Sequence, residues 1–568
     1  MSAGAWWRDA VVYQVYPRSW ADGDGDGTGD LPGITSRLEH LVDLGVDALW
    51  LSPFYRSPQR DGGYDVADFR DVDPRFGTLA DLDALVARAH DLGLRVVVDV
   101  VPNHTSSDHA WFRAALDAAP GSAERGRYVF RDGKGPDGDE PPNNWVSNFG
   151  GPAWTRLPDD PAGGRGRPAQ WYLHLFDSSQ PDLDWTNPEV REELLSVLRF
   201  WLDRGVDGFR IDVAHGLVKA EGLPDADLSL DPNRDETALL PMWDQPGVHE
   251  VYRSWRRLVE GYEGSLAHVW GHDDDRMLCG EAWVEPAEAL ARYVRPDELH
   301  QTFNFSFLLT PWDAAALRTS IDGALTSAAS VGAPQTWVLS NHDVVRHATR
   351  LGRADATTAV VTEGIGADDP QPDADLGLRR ARAATTVMLA LPGSAYLYQG
   401  EELGLPDATD LPEDVLQDPV WERSGHARRG RDGCRVPVPW TDEGPSLGFG
   451  GGKPWLPQPA AYADLAPTRQ RGVEGSTLEL YRTLLAERRA RRLGSGTLTW
   501  VDLGDDVLAF TVGTGRHVVT VVCAVAGDGV DLPPGSTVLA ASGPLDDGRL
   551  PTDTAVWLDG PWPDGVAG

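Results

Sequence analysis

The sequence predicts an α/β fold: a (β/α)8 barrel with an insertion after its third strand and a C-terminal antiparallel β domain. Three observations carry that prediction. A unit of amphipathic helix, glycine and apolar strand recurs. Eight apolar strand candidates follow one another along the chain. From about Ser495 the pattern changes to short alternating strands with Gly/Asp turns.

Leu31, Ile34, Leu38, Leu41 and Leu44 have helical spacing; Gly45 ends the run and Val46–Leu51 reads as a buried strand. Leu79–Leu92, Gly93 and Leu94–Val101 repeat the unit, as do Glu189–Arg204, Gly205 and Val206–Val213. Val11–Tyr16, Arg276–Cys279, Thr302–Phe305, Gln335–Leu339 and Ala395–Tyr398 complete eight strands. Near-continuous apolar strands between amphipathic helices indicate a parallel sheet covered on both faces. A doubly wound open sheet is the alternative, and no GxGxxG or GxxxxGK[ST] loop follows the first strand to favour it. The predicted organisation is a barrel in two parts, residues 1–103 and 180–494, an irregular Pro/Gly/Asn/Trp-rich insertion at 104–179, and a β-sandwich domain at 495–568. A second irregular stretch, 404–452, follows the eighth strand.

The formal net charge of −36 argues against nucleic acid or an anionic membrane surface as partner. No run approaches a membrane span, and Met1–Arg8 lacks a signal-peptide pattern. Three cysteines without CxxC spacing imply neither a disulfide framework nor a cysteine zinc site, so a cytoplasmic location is the default. Cys279, in a predicted buried strand, reads as a core residue. The expected partner is a small molecule, with the chain a monomer or homodimer.

Barrel enzymes place their chemistry on loops after the C-terminal strand ends. Asn103 and His104 follow the third strand here; Arg210 and Asp212 end the fourth; Glu281 follows the fifth; Asn341, His342 and Asp343 follow the seventh. Three carboxylates around one mouth suit glycoside hydrolysis: one attacks the anomeric carbon, one protonates the leaving oxygen, and a third anion stabilises positive charge.

The segments Asp99-Val-Val-Pro-Asn-His104, Gly208-Phe-Arg-Ile-Asp212, Gly280-Glu-Ala-Trp283 and Ser340-Asn-His-Asp343 resemble the four ordered motifs of the α-amylase family, glycoside hydrolase family 13. The resemblance spans nearly the whole chain. It implies a retaining mechanism with Asp212 as nucleophile, Glu281 as general acid/base and Asp343 as third carboxylate. Arg210 would orient and ionise the nucleophile, and His104 and His342 would bind the sugar. Gly63-Tyr64-Asp65 resembles the sugar-binding loop, with Tyr64 stacking on the glucose and Asp65 holding its hydroxyls. Gly430-Arg-Asp-Gly-Cys-Arg-Val-Pro-Val-Pro-Trp440 resembles a motif of the α-glucosidases whose arginine, Arg435 here, pairs with that aspartate and closes the pocket for exo action. Gln180-Pro-Asp-Leu-Asp-Trp185 is similar to the motif of the oligo-1,6-glucosidase branch. Val213 after the nucleophile points toward α-1,6 activity, while Ala214-His215-Gly216 and Glu281-Ala-Trp283 depart from that branch, so α-1,4 and α-1,6 both stay open. The same groups would serve an α-glucosyltransferase or isomerase of the sucrose isomerase or trehalose synthase type.

Asp22-Gly-Asp-Gly-Asp-Gly-Thr-Gly-Asp30 starts like an EF-hand loop, but Gly33 stands at the twelfth position and no EF-hand helices flank it. It resembles the structural calcium loop of bacterial α-glucosidases. That implies Ca²⁺ or Mg²⁺ held by Asp22, Asp24, Asp26 and Asp30 side chains and the Thr28 carbonyl, with no organic cofactor.

Overall fold

A computed structural model describes residues 5–158, 169–230, 237–262, 275–354, 358–514 and 517–563. Eight parallel strands form one sheet: β1 (Val11–Val15), β2 (Ala48–Leu51), β3 (Arg95–Val100), β4 (Gly208–Ile211), β5 (Met277–Gly280), β6 (Gln301–Thr302), β7 (Thr336–Val338) and β8 (Ser394–Tyr398). Their order, β6-β5-β4-β3-β2-β1-β8-β7, wraps into a barrel. The seam between β6 and β7 is bridged by the Asn304 amide donating to the Thr336 carbonyl at 3.1 Å. All eight predicted strands are present, six of them shorter than predicted; β5 is shifted by one residue and β8 begins one residue earlier. One differs in kind: Phe305 opens a helix, Phe305–Leu309, because Asn304 caps it by accepting the Phe307 amide at 3.0 Å.

The predicted helix 31–44 is two helices, α1 (Leu31–Ser36) and α2 (Leu38–Leu44), broken at Arg37. The Thr35 and Ser36 hydroxyls donate back to the Leu31 and Gly33 carbonyls, which competes with the helical ladder. α3 (Leu79–Asp91) and α4 (Pro188–Asp203) follow the sequence pattern. Gly45, Gly93 and Gly205, the predicted stops, have φ of 96°, 80° and 94°, a region that disfavours any side chain.

The sheet's two faces bury different cores. Tyr13, Leu49, Leu51, Val96, Val98 and Phe209 pack outward against the helices, while Val12, Ala48, Trp50, Val97, Cys279, Phe303 and Tyr396 form an inner cluster. Parallel register sets Asp99 beside Arg210 and Arg210 beside Cys279. One charged layer therefore crosses the barrel mouth directly above an apolar one.

The segment after β3 carries a helix, Ala110–Asp117, and a three-stranded antiparallel sheet of Phe130–Asp132, Trp154–Arg156 and Gln170–Leu173. Trp145, Trp154 and Leu173 of this segment pack with Val213 and Trp243, beside the barrel mouth. From Thr497 a five-stranded antiparallel sheet follows, with a two-stranded ribbon of Val530–Asp531 and Arg549–Leu550 sharing its core. The Trp557 indole donates to the Thr386 carbonyl at 2.8 Å and ties this sheet to the helix Ala374–Ala390. Among the described residues no helix is long and apolar enough to cross a membrane.

Candidate active site

The β3, β4 and β5 ends converge on one guanidinium. Arg210 Nη1 lies 3.0 Å from Asp99 and 2.6 Å from Asp212, and Nη2 lies 3.4 Å from Glu281. Trp50 carries the cation on its ring face, 5.1 Å from the centroid. Asp99 is fully buried and also accepts from the Trp50 indole and the Tyr64 hydroxyl. Burial pushes Asp99 up to about 6 against the pull of Arg210. Burial also raises Asp212, helped by Glu281, Asp99 and Asp343 and opposed by Arg210. The 2.6 Å bond to Arg210 opposes that rise and favours the ionised form of Asp212.

The chain turns sharply after Asp212. Val213 has φ of 46°, unusual for a β-branched residue, and its amide donates to Glu281 Oε2 at 2.8 Å. The Trp283 indole donates to Glu281 Oε1 at 2.8 Å. The acid/base candidate is thus held from both sides.

Asp343 sits opposite, paired with Arg431 at 2.8 Å and Arg435 at 3.0 Å, with His342 Nε2 at 3.1 Å. Burial works to raise its pKa, but the guanidiniums of Arg431, Arg435 and Arg210 outweigh it and hold Asp343 well below the usual carboxylate range. Burial keeps His342 and His104 neutral, His104 lowered to about 4. His342 stacks on Tyr64 at 5.0 Å and Nδ1 bonds Gln14 at 2.7 Å. His104 contacts the Tyr64 carbonyl and Gln180.

One cavity of about 310 Å³ has Asp61, Tyr64, His104, Phe149, Phe176, Asp212, Val213, Trp243, Glu281, Trp283, Asp343 and Arg431 on its walls, with Arg210, His342 and Arg435 behind them. A larger cavity of about 470 Å³ lies along the helix Ala314–Ser330, away from the carboxylate cluster.

The predicted Asp65–Arg435 pair is corrected. Asp65 is fully buried, and its oxygens accept from Ser57 Oγ and the amides of Arg60 and Asp61, at 2.8, 3.0 and 3.2 Å. It braces the loop and does not line the cavity. Asp61 lines it instead and pairs with Arg431 at 2.7 Å. Arg435 donates to the His342 carbonyl at 2.9 Å and to Asp343. Sequence reasoning missed Asp61, Arg431 and Gln180, whose amide donates to Asp61 at 2.9 Å. Arg431 stood inside the quoted motif and Asp61 directly before Gly62-Gly63-Tyr64; adjacency alone could not say which aspartate turns inward.

In the acidic loop Asp22, Asp24 and Asp30 each bring a carboxylate oxygen within 4.8 Å of the others. Asp26 lies outside this group, with Oδ1 accepting the Thr28 amide at 2.7 Å. Asp30 also caps α1 through the Gly33 amide. An oxygen-only donor set of this kind fits a hard divalent cation.

The family model described as "Alpha amylase, catalytic domain" matches residues 14–496. A probable alpha-glucosidase of Rhizobium meliloti is 39% identical over 530 residues, 89% of this chain and 86% of its own. An oligo-1,6-glucosidase of Parageobacillus thermoglucosidasius is 33% identical over 515 residues, 85% of this chain and 84% of its own. Among solved structures, the alpha-glucosyl transfer enzyme XgtA is similar with a TM-score of 0.81 and 36% identity, over 98% of this chain and 99% of its own. With a (β/α)8 barrel, an ordered carboxylate cluster at its mouth and these similarities, the chain belongs to the α-amylase family of glycoside hydrolases.

Proposed function

We propose that this chain is an exo-acting, retaining α-glucosidase that releases α-glucose from the non-reducing end of short α-glucosides. The observation that carries the reading is one cavity that holds Asp212, Glu281 and Asp343 and is walled at one side by the Asp61–Arg431 pair. Asp212 attacks the anomeric carbon while Glu281 gives its proton to the leaving oxygen. Asp343 and the neutral His104 and His342 bind hydroxyls of the distorted sugar. Glu281 then takes a proton from the water that releases glucose from Asp212. Tyr64 offers the sugar its ring face, and the Asp61–Arg431 pair leaves no room beyond the terminal glucose. The exo reading thus rests on Asp61 and Arg431, the pair found in place of Asp65 and Arg435.

A transfer reading uses the same groups and differs only in what reaches the glucosyl-enzyme. The similarity to an enzyme named for α-glucosyl transfer favours keeping it in view. The acidic loop is proposed to hold a structural Ca²⁺ or Mg²⁺ on Asp22, Asp24 and Asp30. Three free, buried cysteines suit a reduced cytoplasmic setting.

The test is product analysis on maltose, isomaltose, kojibiose, nigerose, sucrose and trehalose. Glucose as main product supports hydrolysis; dominant disaccharide isomers support transfer. Asp212→Asn should lose at least about 10³-fold in kcat on every substrate. Retained turnover would refute the nucleophile.

A further inference from the structure

Glu281 is bonded unequally at its two oxygens. Oε2 accepts the Val213 amide at 2.8 Å and lies 3.4 Å from Arg210. Both groups are fixed, one on the main chain and the other by Asp99 and Asp212. Oε1 accepts the Trp283 indole N–H at 2.8 Å. Each carboxylate oxygen has two lone pairs. Oε2 therefore takes one N–H bond with the Arg210 charge beside it, and Oε1 takes one N–H bond and keeps one direction for a proton. Trp283 lines the cavity and lies flat on Phe305, with centroids 4.0 Å apart and planes 10° apart. The indole cannot turn its N–H away without breaking that stack.

Resting on the α-glucosidase reading above, we propose that Trp283 is a positioning residue for proton transfer. The Arg210 charge beside Oε2 leaves Oε1 as the oxygen that carries the transferable proton, and the indole N–H confines that proton to the remaining lone-pair direction. The step balances. Asp212 forms a bond to the anomeric carbon as the glycosidic C–O bond breaks. The released electron pair stays on the leaving oxygen, which takes the proton from Oε1. Glu281 is left ionised, with the Trp283 and Val213 N–H groups and Arg210 around it. Without the indole N–H, Glu281 presents its proton with less fixed direction.

Trp283→Phe keeps a ring on Phe305 and deletes the N–H. The readout is kcat/KM for maltose and for α-glucosyl fluoride, whose fluoride departs without a proton. The loss on maltose should exceed the loss on the fluoride by about tenfold. Equal losses on both substrates, or no loss on either, overturn the proposal. A lowered thermal midpoint together with equal losses overturns it too, leaving Trp283 a packing residue. Wild-type protein that cleaves neither substrate would sink the α-glucosidase reading and this one with it. Wild type that cleaves both, beside a variant that loses both equally, sinks the positioning role alone.

Discussion

Asp61 and Arg431, 370 positions apart in the chain, meet at 2.7 Å on the wall of the catalytic cavity. The same guanidinium reaches Asp343 at 2.8 Å and Asp418 at 2.5 Å. One cation thus joins the loops after β2, β7 and β8. It couples Asp61 on the cavity wall to Asp343. Burial, opposed by Arg431 and Arg435, pushes Asp61 up to about 6, and the pair is worth most where Asp61 is ionised.

Asp61→Ala and Asp65→Ala should therefore fail differently. Loss of Asp61 opens the cavity wall and leaves Arg431 under-paired, so kcat/KM on maltose is expected to fall by at least about tenfold with the fold intact. Loss of Asp65 orphans Ser57 Oγ and the amides of Arg60 and Asp61, costing about 2–4 kcal/mol of stability. Steady-state kinetics and thermal unfolding of the two variants separate the roles. An Asp65 variant of unchanged midpoint and lost activity would reverse them.

The pH profile should carry an acid limb near pH 6. Asp99 and Asp61 are both raised to about 6, and Asp212 is raised in the same direction by burial. Below a raised carboxylate pKa the group is neutral, so the nucleophile and its partners lose charge as pH falls. Asp343, shifted the other way, stays ionised throughout that range. The prediction is kcat/KM falling steadily below about pH 6. A profile flat down to pH 4.5 contradicts it.

Val213 should tune linkage. Its side chain lines the cavity next to Trp243, while its amide is committed to Glu281. Val213→Thr keeps the branched shape and adds a hydroxyl at the wall facing the leaving group. The ratio of kcat/KM for maltose over isomaltose is expected to rise by about tenfold. An unchanged ratio places linkage choice elsewhere on the wall.

The acidic loop should respond to chelation in stability and not in chemistry. If a divalent ion sits on Asp22, Asp24 and Asp30, added Ca²⁺ raises the thermal midpoint and a chelator lowers it. Asp24, exposed and outside the helix cap, is the informative site. Asp24→Ala should abolish the calcium response with kcat unchanged. A midpoint indifferent to calcium in the parent chain rejects the ion.

The barrel was legible because its signals are local. A 3.6-residue period, a glycine that accepts positive φ, and a run of β-branched residues announce α3, Gly93 and β3 without any distant partner. Thr302–Phe305 misled because one side chain, Asn304, caps a helix where an apolar run suggests a strand. The motif segments put Asp212, Glu281 and Asp343 at the barrel mouth because each ends or follows a strand of its own.

The sequence alone determined the order of the barrel strands and which residues stand at the mouth of the barrel. Only the tertiary structure decided which of them meet. Parallel register set Asp99 beside Arg210, and the strained turn at Val213 aimed an amide at Glu281. Asp61 faces inward and Asp65 faces its own loop, though both are aspartates on one short segment. The difference lies in what surrounds each carboxylate. Asp65 finds three donors within its own loop, whereas Asp61 is met by a guanidinium and an amide from 370 and 119 positions away. Direction in a loop depends on distant partners, and spacing along the chain carries no record of them.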